Sequence, residues 1–99
     1  MSTGVFLATR THGPGWREGR ALEAQDEWPA HADFMEKLAS DGFVLFGGVV
    51  IETSDALLVV KADSKADIEA RLAKDPWTRS GILRIESIHS WQVRLGSVT

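Results

Sequence analysis

Ninety-nine residues, 43% apolar and 25% charged, make one small globular domain with enough apolar side chains for a core. The net charge of -3 comes from interspersed acids and bases with no basic run, which disfavours nucleic acid as a partner because phosphate neutralisation needs clustered Lys and Arg. The absence of cysteine excludes disulfides and thiolate chemistry, no basic segment leads into a long apolar run at the N-terminus, and the longest apolar stretch, residues 43–51, is too short to span a bilayer, so a cytoplasmic protein with no membrane partner is expected.

The predicted elements follow in chain order. Residues 5–9 are apolar and β-branched and predict a first strand. Residues 10–26 are polar, with Gly13, Pro14, Gly15 and Gly19, and predict a long loop; loops of that length in compact domains often cover a site. Pro29 is tolerated in the first turn of a helix that continues to Ala39, and Asp41-Gly42 supplies the stop. Residues 43–51 form a second strand interrupted by Gly47-Gly48, and residues 52–56 connect it tightly to a third, 57–62. Ser64-Lys65-Ala66-Asp67 resembles a capping box with Asp in place of Glu and opens a helix running to Lys74. A loop over 75–81 leads to a final strand-like segment, 82–95.

In that last segment Leu83, Ile85, Ser87, His89, Trp91, Val93 and Leu95 share one face if the extended phase is unbroken, and that face belongs against a core. Fourteen residues is long for one strand, so a bend or bulge is expected near residues 87–90. The order β-α-β-β-α-β predicts an α+β, ferredoxin-like domain over residues 1–99: a four-stranded antiparallel sheet with two helices on one face. The other sheet face is left uncovered, and in so small a chain a second copy is expected to cover it, giving a homodimer.

Projected at helical spacing, Trp28, His31, Met35 and Leu38 fall on one side, so His31 faces inward. In the first turn the helix macrodipole disfavours imidazolium; a nearby carboxylate would counter that and fix the tautomer, as suits a general base. A core histidine bonded to a backbone carbonyl also explains the spacing, and spacing alone leans that way. Asp75 is the natural partner: it follows a helix whose negative end repels an anion, and Pro76 swings the chain out of helical angles. The alternative is a turn aspartate capping its own loop. Trp77 then packs on the helix end or lines a pocket.

The remaining polar candidates are weaker. Gly13-Pro14-Gly15 lacks the ending of a phosphate loop. His12 could reach a pocket or be solvated, Arg10 could bind an anionic ligand or face water, and His89 could sit at a dimer interface or in a pocket. A metal on His12, His31, His89 and Asp75 is conceivable from ligand type but has no supporting spacing, so neither a metal nor a cofactor is expected.

His31 followed by Phe34-Met35 and Leu38, the strand ending Gly47-Gly48, the Asp75-Pro76-Trp77 turn and Trp91 in the last strand together resemble the YciI-like (YCII-related) family of small dimeric α/β-barrel proteins, over essentially the whole chain. The resemblance implies ferredoxin-like subunits paired sheet to sheet and a site built from a histidine and the aspartate of the Asp-Pro turn, here His31 and Asp75. Around that pair the substrate-binding candidates are Arg10, His12, Trp16, Trp28, Gly48 and Trp77. A dehydrochlorinase of a chlorinated hydroxyquinone and the muconolactone isomerases, to which the family is related, imply proton transfer on small cyclic compounds. Two classes of function follow: a lyase- or isomerase-type enzyme using the His–Asp pair on an unknown small molecule, or a non-catalytic dimeric module that uses the same pocket for recognition. A histidine nitrogen bonded to the Asp75 carboxylate beside a concave pocket would favour the first, and a filled core around His31 the second.

Overall fold

The computed structural model describes residues 3–97. Its elements are β1 (Gly4–His12), a single 3-10 turn (Leu22–Ala24), α1 (Trp28–Ser40), β2 (Val44–Val49), β3 (Ala56–Ala62), α2 (Lys65–Leu72), α3 (Pro76–Arg79) and β4 (Leu83–Trp91). The strands form one antiparallel sheet in the order β2-β3-β1-β4, and the two crossovers, β1-α1-β2 and β3-α2-β4, place both long helices on the same face: the expected ferredoxin-like α+β fold.

The core lies between that face and the helices. Phe6 and Ala8 of β1, Leu58, Val60 and Ala62 of β3, and Leu38, Ile68 and Leu72 of α1 and α2 are all buried in one cluster. Full burial of a side chain the size of Ile68 or Leu72 stabilises by about 1.5–3 kcal/mol. The Ser64 hydroxyl accepts from the Asp67 N–H at 3.1 Å and caps α2, which is one of the two hydrogen bonds of a capping box.

Two departures from the periodicity reading matter for the site. First, β1 runs on to His12 because residues 10–12 pair with the start of β4. This carries Arg10 and His12 onto the helix face of the sheet. Second, the register between β1 and β4 shifts at Thr9/Arg10, where Thr9 faces Ser87 and Arg10 faces Ile85, so Glu86 is the extra residue of a bulge. The bulge falls just before the expected window and inverts everything after it. Leu83, Ile85 and Ile88 look toward the helices, whereas Ser87, His89 and Trp91 lie on the open face opposite Thr9, Leu7 and Val5. The unbroken-phase assignment of His89 and Trp91 to the core face is therefore corrected. Val93 and Leu95 lie beyond the strand, and Leu95 is almost fully exposed.

The loop between β1 and α1 is ordered by its own contacts. Gly13 N–H donates to the Ile82 carbonyl at 2.9 Å and Gly15 N–H to the Gly81 carbonyl at 2.8 Å, which fastens the loop to the chain entering β4. A Cβ on Gly13 would collide with the Gly81 carbonyl oxygen, so only glycine permits this approach. Further along, the buried Gln25 side chain accepts from the Arg17 N–H and donates to the Arg17 and Arg20 carbonyls.

Candidate active site

Asp75 and His31 meet although 44 residues separate them. Asp75 is the N-cap of α3, with Pro76 at the first helical position and its carboxylate accepting from the Trp77 N–H at 3.0 Å. The sequence reading set it against the negative end of the preceding helix. The structure gives it a second role, at the favourable end of the next turn. The carboxylate is fully buried and has two further donors. His31 Nδ1 lies 2.9 Å from both of its oxygens, and an Arg10 guanidinium nitrogen donates to Oδ2 at 2.9 Å. Burial by itself would raise the Asp75 carboxyl; the hydrogen bonds from His31 and Trp77 and the positive charge of Arg10 together outweigh it and hold the group below its ordinary value. Ionised, it can only accept, so in the neutral imidazole the proton sits on Nδ1 and Nε2 carries a free lone pair. Among the described residues Nε2 has no hydrogen-bond partner.

The His31 ring is set by its other contacts as well. It stacks on Trp77 with centroids 3.8 Å apart and planes within 4°. Trp28 leans on both rings, 5.9 Å from His31 and 5.7 Å from Trp77. Trp77 is fully buried and its indole N–H donates to the Asp26 carbonyl at 2.7 Å, which ties the start of α1 to α3. The next residue, Glu27, caps α1 in the left-handed region at φ 61°, a strained geometry for a side chain with a Cβ. It is held there by the hydrogen bond from the Ser80 hydroxyl to its carboxylate and by its carbonyl, which accepts the His31 N–H at 3.0 Å.

Beside His31 opens a cleft of about 360 Å³, lined mainly by apolar and aromatic side chains. Every substrate-binding candidate borders it. Trp16, Trp28 and Trp77 form an aromatic wall with His12 stacked on Trp16 at 3.6 Å, Gly48 contributes from the far edge of the sheet, and Arg10 lies at the base. Arg10 faces no solvent, being 1% exposed, and its guanidinium bonds Asp75 and Thr78. His89 is on the opposite face of the sheet, and no group of three or more His, Asp or Glu side chains is placed to hold a metal among the described residues. The sequence reading missed Thr78, which accepts from Arg10 at 2.8 Å while its hydroxyl donates to the Leu72 carbonyl at 2.7 Å. Only its place in the Asp-Pro-Trp-Thr turn could have signalled it.

The domain family described as the YCII-related domain matches residues 7–92, a span that holds both His31 and Asp75. The chain belongs to the YCII-related family. Among solved structures, this YCII-related chain is similar to 5-chloro-2-hydroxyhydroquinone dehydrochlorinase from Burkholderia phenoliruptrix, a structure in complex with 2,5-dihydroxybenzoquinone. The two share 20% sequence identity over 93% of this chain and 95% of the other, with a TM-score of 0.61, so the likeness is one of fold. None of the curated proteins matches it. No helix among the described residues is long and apolar enough to cross a membrane.

Proposed function

We propose that this YCII-related protein is a lyase- or isomerase-type enzyme that moves a proton on a small cyclic or carbonyl compound. The observation that carries the reading is the buried Asp75 carboxylate on His31 Nδ1, with Nε2 unpartnered among the described residues beside a largely apolar cleft. That is the equipment of a general base: a fixed tautomer, a fixed ring and a largely apolar surround. Nε2 takes a proton from a carbon next to a carbonyl, and the electron pair delocalises onto the carbonyl oxygen. The pair then either expels a halide, the proton leaving from His31 afterwards, or picks the proton up again from His31 at a different carbon, giving elimination or isomerisation. The tryptophan wall suits a flat ring, and the fold likeness to a dehydrochlorinase supports elimination on a quinone-like compound.

Pairing with a second copy through the open sheet face completes the proposal. Phe46 and Trp91 on that face are 55% and 41% exposed, with Leu7 and Val59 between them. A thermal-shift screen of small hydroxyquinones, lactones and carboxylates finds the ligand class, and turnover of any hit is then followed in His31→Ala. Binding by the unsubstituted protein with no turnover of any bound compound would leave only a recognition module.

A further inference from the structure

One buried group has no part in the proton transfer as drawn. The Arg10 side chain is 1% exposed and lies against Asp75, Thr78 and, at 4.0 Å, the Met35 sulfur, while its Nε–H is buried with no partner among the described residues. An unsatisfied buried N–H destabilises the fold, and a buried ion pair adds little stability over an apolar side chain of similar size. Filling space is therefore a poor account of a guanidinium at this position.

We infer that Arg10 is a positioning residue which cancels the charge of the buried Asp75 carboxylate and so leaves His31 neutral, as a base must be. His31 Nδ1 and the Arg10 nitrogen share one carboxylate oxygen, Oδ2, each at 2.9 Å. A dry carboxylate hydrogen-bonded to imidazole alone would draw a proton onto the ring, because the ion pair is then the neutral state of the pocket. The result would be an imidazolium with no lone pair to offer. With the guanidinium already in place, the pocket is neutral when the imidazole is neutral, and a proton on the ring leaves a buried net positive charge.

The other charges around the ring leave this balance intact. Glu27, at the start of α1, has its carboxylate bonded by the Ser80 hydroxyl. Asp26 is engaged at the surface by Arg17 and Arg20. His12 lies across the cleft, stacked on Trp16, and the positive end of α1 also opposes imidazolium. Among the described residues Arg10 is the only arginine or lysine paired with the Asp75 carboxylate.

The inference rests on the proton-transfer reading, but its test needs no substrate. The protein, labelled with nitrogen-15, is titrated by NMR while the His31 ring nitrogens are followed. Arg10→Gln is expected to carry more imidazolium than the unsubstituted protein at the same pH, because the shared Oδ2 has then lost its guanidinium. Arg10→Lys, which keeps the charge but not the fork, returns the transition toward that of the unsubstituted protein. Coincident transitions in all three proteins would overturn the inference. If Arg10→Gln does not fold, the lysine variant decides alone: more imidazolium in that protein than in the unsubstituted one at the same pH counts equally against it. Full turnover by His31→Ala would instead remove the proton-transfer reading while leaving the measured charge coupling as it is.

Discussion

Asp75→Asn is the most informative single change. The substitution is nearly isosteric, yet it places a neutral amide where three donors converge: the Arg10 guanidinium at 2.9 Å, His31 Nδ1 at 2.9 Å and the Trp77 N–H at 3.0 Å. The amide nitrogen can accept from none of them, and Arg10 becomes a buried cation without a counter-ion. Breaking a buried pair by removing one partner costs about 3–5 kcal/mol. For a domain of this size, with about 5–15 kcal/mol in total, that lowers the melting temperature by on the order of 15–25 °C. The effect also has a pH signature. In the folded protein the Asp75 carboxyl titrates below its ordinary value of 3.8, so the unfolded chain binds that proton more readily. Its contribution to stability is therefore full above 3.8 and is lost as the pH falls through the folded value. Urea denaturation followed at pH 7 and near pH 3 should show a wide gap between parent and variant that narrows in acid. A loss below about 1 kcal/mol at pH 7, or a gap unchanged by acid, would refute the ionised three-donor hub.

Other outcomes follow from the same contacts. Once a substrate is found, His31→Ala should lower kcat by about 10²- to 10⁴-fold with the fold intact by circular dichroism. Trp77→Phe keeps a ring against His31 but strands the Asp26 carbonyl, and should cost about 1–3 kcal/mol in chemical denaturation. Gly13→Ala forces the loop off the Gly81 carbonyl, and a loss of about 1–3 kcal/mol together with weaker ligand binding is expected by calorimetry. Phe46→Lys combined with Trp91→Lys should yield a folded monomer by light scattering if the open sheet face joins two copies.

Much of this site was legible because its parts are marked locally. Helical spacing turned His31 inward, and Asp75-Pro76 is itself an N-cap followed by a proline at the first helical position. That motif was visible in the sequence, but residues 75–81 were read as loop because a four-residue helix has no periodicity to detect. Arg10 carried no such mark. Its partner lies 65 residues away, and a lone arginine at a strand end reads equally as a ligand contact or a solvated side chain. The bulge at Glu86 shows a different limit. Alternation identifies two faces, but the place where they exchange is set by pairing with β1, and one extra residue moved His89 and Trp91 across the sheet.

The clustering of indoles gives the protein a built-in optical reporter. Of its four tryptophans, Trp16, Trp28 and Trp77 border the cleft, and Trp91 lies on the far side of the sheet. In Trp91→Phe all indole emission would come from the cleft. Trp77 is in face contact with the His31 ring, and an imidazolium quenches indole emission more strongly than a neutral imidazole. The intensity would then follow the charge on His31, and a quinone stacking on the wall would darken it, so occupancy and protonation could both be read without a label.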